Sequence, residues 1–167
     1  MGVTVDKMAA GVTVAKEVFL SYGREQEIVP FVQKLKLDLE ASGISVWLDT
    51  DDLKAGSDWH GAIGTALDEC RALLCVLSRK YIHSRYCTSE LYTANSDDKL
   101  IFPVMYDEIN FSENERSRGV KYVVSGLNWT MFRPGKDEYQ LALEKLIKGM
   151  KDKGGQVSQG AFFAIGS

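Results

Sequence analysis

The sequence predicts one α/β domain of three layers, in which helices flank a five-stranded parallel sheet. Segments of strand length alternate five times with segments of helical periodicity, and this alternation requires parallel strands joined by right-handed crossovers. The run Ala72–Leu77 is continuously apolar, as in strands buried on both faces of a parallel sheet. The 167 residues can bury a sufficient core, and contents of 45% hydrophobic and 26% charged residues are typical of globular proteins.

The predicted elements follow one another from residue 17 onward. Strands are predicted over residues 17–22, 44–49, 72–77 and 100–106, with a weaker fifth strand over residues 121–127. Helices are predicted over residues 25–41, 59–67, 84–94 and 137–151, and residues 50–57 form an acidic loop. Asp58 and Ser84 are plausible N-caps, and Gly43 is a helix stop. Residues 1–15 are interpreted as a leader, residues 16–152 as the domain, and residues 153–167 as a tail or linker.

Composition and charge argue against nucleic acid and membrane as partners. The formal net charge is −3, so the chain lacks the basic face that a nucleic-acid duplex requires. The longest apolar run has six residues, whereas a bilayer-spanning helix takes about 20. Three cysteines without a framework spacing, together with the lack of a signal peptide, indicate a reducing, cytoplasmic location.

Several familiar chemical motifs are missing from the sequence. The first strand is not followed by Gly-x-Gly-x-x-Gly, and neither a phosphate loop nor a Gly-x-Ser-x-Gly elbow occurs. His83 and Cys87 could be imagined as a thiol–imidazole pair, but no third ligand lies nearby, so no metal site is expected. Ligands of parallel sheets bind at the carboxyl ends of the strands, which directs attention to the loops after Tyr22, Asp49 and Leu77.

The segment Ser84–Leu91 is the most informative part of the chain. Tyr86 and Glu90 are four residues apart on a predicted helix, which places an aromatic ring one turn from a carboxylate. Four motifs, in this order along the chain, support a family resemblance. The first two are Val18-Phe19-Leu20-Ser21-Tyr22 and Val46-Trp47-Leu48-Asp49, the latter with a loop ending Lys54-Ala55-Gly56. The other two are Trp59-x-x-x-Ile63-x-x-Ala66, which leads to Cys70-Arg71, and Tyr81-x-x-Ser84-x-Tyr86-Cys87-x-x-Glu90-Leu91. From about Lys16 to about Lys151 the chain resembles the Toll/interleukin-1 receptor (TIR) domain.

The resemblance implies a flavodoxin-like fold and one of two roles. TIR domains either assemble receptors and adaptors through homotypic contacts, or cleave NAD+ at the nicotinamide–ribose bond. The NAD-cleaving branch carries its key glutamate at the position of Glu90 and an aromatic residue, usually tryptophan, at the position of Tyr86. The loop after the second strand lacks the proline of many receptor scaffolds, and Arg24 stands where the NAD-cleaving proteins tend to place arginine. The resemblance therefore favours an NAD+ glycohydrolase of innate immune or cell-death signalling, in which NAD+ is hydrolysed or its ADP-ribose part is cyclised.

The expected site has one catalytic residue and six substrate-binding residues. Glu90 is expected to stabilise the oxocarbenium-like ribose that forms when neutral nicotinamide leaves, which requires neither a metal nor a cofactor. The substrate-binding set that shapes the NAD+ pocket consists of Arg24, Trp47, Asp49, Lys54, Trp59 and Tyr86. The family also implies homotypic self-association, in which loops of one protomer complete the pocket of the next.

Simpler interpretations of the same residues stay open at this point. Glu90 could be an ordinary solvent-facing helix glutamate, whose replacement would barely change folding. Trp47 and Trp59 could be core residues, and Arg24 could serve only an ion pair. The alternative function is a catalytically silent homotypic adaptor in innate immune signalling, and a third is a nucleotide-sensing binder without turnover.

Overall fold

The computed structural model describes residues 16–53, 55–56, 58–132 and 139–157, with side chains up to residue 153. Within them, five parallel strands form one sheet in the order β2-β1-β3-β4-β5. The strands are β1 (Val18–Tyr22), β2 (Val46–Trp47), β3 (Ala72–Leu77), β4 (Leu100–Met105) and β5 (Thr130–Met131). The predicted three-layer α/β fold is therefore confirmed, and the predicted leader at residues 1–15 lies outside the described residues.

Helices connect the strands on both faces of the sheet. A short 3-10 turn at Gln26–Ile28 leads into the first α-helix. The α-helices are α1 (Val29–Ala41), α2 (Asp49–Asp52), α3 (Trp59–Glu69), α4 (Arg79–His83), α5 (Arg85–Ser96), α6 (Glu115–Val124) and α7 (Tyr139–Val157). None of the helices in the described part of the chain is long and apolar enough to span a bilayer.

Strand alternation divides the core into two clusters. Along β1, Val18, Leu20 and Tyr22 face the cluster covered by α1 and α7. Phe19 faces the cluster covered by α3, α4, α5 and α6. Because successive side chains of a strand point to opposite faces, Ser21 is turned toward the second cluster, beneath α4 and α5. This register places a hydroxyl group inside an otherwise apolar layer.

The predicted fifth strand over residues 121–127 is wrong. Residues Glu115–Val124 form α6, which begins with a reciprocal cap between Asn114 and Ser117. Val120 and Val124 are buried four residues apart, whereas Tyr122 between them is exposed, which is a helical pattern and not a strand pattern. The fifth strand is instead the two-residue Thr130–Met131, paired with Val104 and Met105.

Local boundaries differ from the prediction in four further places. The second strand is only Val46–Trp47, because the chain turns at once into α2, where the Asp52 carboxylate accepts a hydrogen bond from Leu48 N at 2.8 Å. The short α4 was not predicted. Ser84 caps α5 as expected, but the Asp58 side chain makes no capping bond on α3. The last helix continues to Val157, into the predicted linker, and residues 158–167 lie outside the description.

Candidate functional site

The candidate site lies where β1 and β3 end, next to the point at which the strand order reverses. β1 pairs with β2 on one side and with β3 on the other, so the crossovers from β1 and β3 leave in opposite directions along the sheet. Such a switch point opens a crevice at the carboxyl ends of the strands. α5 lies against this edge and directs Glu90 toward Ser21 on β1.

Glu90 is a buried carboxylate. Only 6% of its surface is exposed, so its interpretation as a solvent-facing helix residue is wrong. The Ser21 hydroxyl donates a hydrogen bond to Glu90 Oε1 at 2.6 Å. Arg24 Nη2 lies 3.6 Å from Glu90 Oε2, which forms a second, longer contact with positive charge. Sequence periodicity could not show this burial, because it arises from packing of α5 over residues 69 positions earlier in the chain.

Arg24 is held beside Glu90 by Asp49. The Asp49 carboxylate pairs with Arg24 Nε through Oδ2 and accepts a 2.9 Å hydrogen bond from the Tyr22 hydroxyl through Oδ1. The Arg24 guanidinium also lies over the Trp59 ring, at 5.4 Å from its centroid. Both Asp49 oxygens are thus occupied by protein donors. Asp49 is arranged to fix Arg24 within the site.

Burial governs the electrostatics of Glu90. Desolvation raises the pKa of this carboxyl group from 4.5 to about 7. The hydrogen bond from Ser21 and the charge of Arg24 both act against the rise, while the charge of Asp49 adds to it. Glu90 is consequently a carboxyl group that changes its charge near neutral pH, which is the behaviour found at many functional sites.

An aromatic cleft opens beside Glu90. It has a volume of about 180 Å³, and its lining includes Trp59, His60, Tyr86 and Glu90. The Trp59 and Tyr86 rings meet edge to face at 5.5 Å between centroids, and His60 lies 5.0 Å from Trp59 and 5.9 Å from Tyr86. Tyr86 is 53% exposed, so it forms the rim and not the floor. The cleft can hold one planar ring against aromatic walls with a carboxylate at its side.

The remaining predicted residues have different positions. Trp47 stacks on Phe19 at 4.9 Å and 14°, so its surroundings agree with the packing interpretation. Lys54 lies outside the described residues. Cys87 is buried, and its Sγ donates to Tyr22 O at 3.2 Å. His83 faces Glu113 instead, so the imagined thiol–imidazole pair does not form. Burial raises the pKa of the Cys87 thiol to about 12, and it stays protonated.

The sequence did not predict Ser21, His60 or Tyr81, whose hydroxyl lies 2.8 Å from Ser21 Oγ, as parts of the site. Ser21 stands in a motif that contributes to the family resemblance, and a hydroxyl residue in a buried strand is itself a signal of a polar partner. His60 follows Trp59 directly on α3. Among the residues that the structure describes, no group of three His, Cys, Asp or Glu side chains could hold a metal ion.

Comparison with known proteins gives matches over most of the described chain. The family model for the TIR domain matches residues 18–147. The disease resistance protein RPV1 of Vitis rotundifolia is 30% identical over 123 residues, which cover 70% of this chain and 9% of that protein. A TIR domain-containing protein of Arabidopsis thaliana is 26% identical over 111 residues, covering 62% of this chain and 43% of the relative. The chain thus spans less than half the length of these relatives.

Two solved structures share the fold. The TIR domain of the Toll-related receptor TRR-2 of Hydra magnipapillata superposes with a TM-score of 0.64 at 18% identity, over 82% of this chain and 99% of that one. The TIR domains of the activated Roq1 resistosome, which recognises the effector XopQ, give a TM-score of 0.61 at 21% identity, over 83% and 99% of the two chains. At these identities the likeness concerns the fold.

Proposed function

The chain belongs to the TIR domain family, and from that premise we propose that it cleaves NAD+ at the nicotinamide–ribose bond, with Glu90 as the catalytic carboxylate. The observation that carries the proposal is the placement of Glu90. It is a buried carboxylate that receives a hydrogen bond from Ser21 and lies beside an aromatic cleft. A structural salt bridge would not need an open cleft beside it.

The chemistry requires little more than this carboxylate. Nicotinamide is cationic in NAD+ and leaves as a neutral molecule, so no general acid is needed. The ribose then develops positive charge, which the ionised Glu90 stabilises more strongly in the transition state than in the ground state. Water gives hydrolysis when it captures the ribosyl cation, and a ring nitrogen of adenine gives cyclisation.

The cleft accommodates only one end of the substrate. Its volume of about 180 Å³ lies below the roughly 300–1,000 Å³ of pockets that enclose a whole drug-sized ligand. The nicotinamide ring therefore lies in this cleft against the Trp59 and Tyr86 rings, and the rest of NAD+ extends over the surface. Arg24 uses Nε for Asp49 and retains N–H groups that suit a phosphate oxygen.

The relatives support a setting in immune signalling. RPV1 and RUN1 of Vitis rotundifolia are disease resistance proteins, and a solved neighbour is an activated resistosome. The three cysteines are buried free thiols, which supports a reducing, cytoplasmic location as part of the proposal. The deciding experiment is chromatographic analysis of products after incubation with NAD+. Release of nicotinamide supports the enzyme, whereas no product at any protein concentration supports the homotypic adaptor.

Substitution of Tyr86 tests the stacking role. Tyr86→Ala is expected to lower kcat/KM for NAD+ by roughly 10- to 100-fold, because base–aromatic stacking is worth about 1–3 kcal/mol. Tyr86→Trp should preserve or raise turnover, since it enlarges the face of the ring. Both variants should melt near the parent, because the side chain is more than half exposed. If both variants change Tm more than turnover, Tyr86 serves packing and not substrate.

Self-association is the second part of the proposal. A cleft of about 200 Å³ between β5 and α7 has an apolar lining and carries Lys145 and Lys153, neither of which has a carboxylate partner in the described part of the chain. At the opposite edge of the sheet, α2 presents the exposed carboxylate of Asp51, which pairs with Lys36, whereas Asp49 of the same helix is buried in the site. Contact between unlike surfaces of successive copies would repeat head to tail.

Turnover per protein molecule is therefore expected to rise with protein concentration. The double variant Lys145→Glu and Lys153→Glu should weaken that rise, because it places negative charge opposite α2. Lys148→Glu is the matched control on the same helix, outside the lining of the cleft. Product formation and light scattering are measured from nanomolar to high micromolar protein. Constant specific activity over that range would contradict the dependence on assembly.

A further inference from the structure

Two buried hydroxyl groups, those of Ser21 and Tyr81, are linked to Oε1 of Glu90, whereas Arg24 lies beside Oε2. Ser21 and Tyr81 are both shielded from solvent, with 1% and 0% of their surfaces exposed. Their oxygens are 2.8 Å apart, and Ser21 Oγ is in turn 2.6 Å from Glu90 Oε1. The three groups form one continuous hydrogen-bonded chain from α4 through β1 to α5.

The number of hydroxyl hydrogens determines which group donates in each of these two hydrogen bonds. An ionised carboxylate can only accept, so Ser21 must give its single hydroxyl hydrogen to Glu90. The Tyr81 hydroxyl must then donate to Ser21 Oγ. Burial raises the pKa of Tyr81 well above its ordinary value, so this donor keeps its proton. Tyr81 polarises Ser21, and Ser21 presents a strengthened donor to the carboxylate.

The fold itself does not need these hydroxyl groups. Ser21 faces the same apolar layer as Phe19, Cys75 and Leu77, where alanine would fit the strand. Phenylalanine would retain the apolar surface of Tyr81. A buried hydroxyl group costs free energy unless it is hydrogen-bonded. The Tyr81 hydroxyl is bonded to Ser21, and the Ser21 hydroxyl is bonded to Glu90. Their placement is therefore explained by the carboxylate.

Other charged and titratable groups surround Glu90 as well. Arg24 from the loop after β1 favours the charged form of the carboxyl group, and Asp49 from α2 opposes it. Tyr81 from α4 and Cys87 from α5 are protonated neighbours. His60 and Tyr86 line the same cleft. Ser21 is thus the one uncharged donor within hydrogen-bond distance of Glu90 among the described residues.

We propose that Ser21 and Tyr81 are positioning residues, a hydroxyl relay that holds Oε1 of Glu90, favours its charged form and leaves Oε2 for the reacting ribose. This inference rests on the proposed NAD+ cleavage for its consequence, but the relay itself can be measured without turnover. Neither residue touches the substrate. Both act through Glu90, and their loss should move the titration of that group.

The test follows the titration of Glu90 in Ser21→Ala and Tyr81→Phe. The Glu90 carboxyl carbon is followed by 13C NMR over pH, and NAD+ turnover is measured over the same range. Ser21→Ala should raise the midpoint by about one pH unit, because it removes a hydrogen bond to the charged form. At pH 7 the ionised fraction, and with it kcat, then falls about fivefold and recovers at higher pH. Tyr81→Phe should shift the midpoint in the same direction by less.

Two controls separate the relay from general damage to the fold. Ser21→Thr keeps the hydroxyl group and should restore the parent midpoint. Val18→Ala shortens a buried side chain at the other end of β1, so it should lower Tm and leave the midpoint in place. An unchanged midpoint in both Ser21→Ala and Tyr81→Phe would overturn the relay. If the parent shows no turnover, the proposed function fails, while the NMR titration still decides the relay.

Discussion

Replacing Glu90 with glutamine is expected to lower NAD+ cleavage by roughly 10²-fold or more, the scale of losing one well-placed electrostatic group. Glutamine keeps the size of the side chain and an oxygen that accepts from Ser21, but it removes the negative charge that stabilises the ribosyl cation in the proposed reaction. The measurement is initial-rate nicotinamide release at a protein concentration that gives turnover in the parent. A variant that cleaves NAD+ at the parental rate would exclude Glu90 as the catalyst.

The same substitution should change how stability depends on pH. The Glu90 carboxyl group titrates near 4.5 when unfolded and about 7 when folded, so the folded state binds the proton more tightly. Its stabilising contribution is complete below pH 4.5 and is lost as pH rises through 7. The loss amounts to about 3 kcal/mol of unfolding free energy. Glu90→Gln removes this dependence, so the variant should gain stability relative to the parent at pH 8.5. The expectation of unchanged folding, which assumed a surface position, no longer holds.

Chemical denaturation at pH 5.5 and 8.5 measures the effect. The parent should be less stable at the higher pH, and the difference should shrink in Glu90→Gln. Glu69→Gln at the exposed end of α3 is the matched control, which should alter neither turnover nor the pH slope. Equal slopes in the parent and in Glu90→Gln would contradict a folded-state titration near neutral pH.

Replacing Asp49 with alanine is expected to reduce both stability and turnover. The change leaves the buried Tyr22 hydroxyl and the Arg24 guanidinium without their shared acceptor. Losing the acceptor for these two donors should cost about 2–4 kcal/mol of unfolding free energy. Arg24 is then no longer fixed beside Glu90, and misplacement of a substrate-positioning group should lower kcat/KM by roughly 10- to 100-fold.

Asp51→Ala supplies the comparison within the same helical turn. Asp51 pairs with Lys36, and its side chain is 44% exposed, so its removal should cost under about 1 kcal/mol. Denaturation midpoints and NAD+ kinetics are measured on both variants. If Asp49→Ala and Asp51→Ala behave alike, then Asp49 does not hold the site together.

Most of the fold could be predicted from the sequence, because the patterns that indicate strands and helices are local. Continuous apolar runs such as Ala72–Leu77 predict buried parallel strands without reference to anything distant. Residues 121–127 were wrongly predicted as a strand because Val123 and Val124 favour strands. In the structure, Val120 and Val124 are buried one helical turn apart, which is the pattern of a helix. Its true start signal was Asn114 with Ser117, a capping pattern.

Less of the site than of the fold could be predicted from the sequence, because its geometry depends on tertiary contacts. The motifs identified Glu90, Arg24, Asp49, Trp59 and Tyr86, which the structure brings together. They could not show that Glu90 is buried or that both Asp49 oxygens are occupied, since each contact joins elements far apart in the chain. Ser21 was visible as a polar residue in a strand, but its partner was not.

The distance in sequence between Ser21 and Glu90 has a consequence for synthesis of the protein. β1 lies inside the sheet and is made first among the described strands, yet β3, one of its two hydrogen-bonded neighbours, ends only at Leu77. The carboxylate that completes the site is 69 residues beyond Ser21. Contacts of such separation form slowly, and an unpaired apolar strand is prone to aggregate. On the ribosome, the face of β1 that carries Ser21 therefore lacks its cover until α5 emerges, and a nascent chain that ends before Glu90 lacks the carboxylate that completes the site.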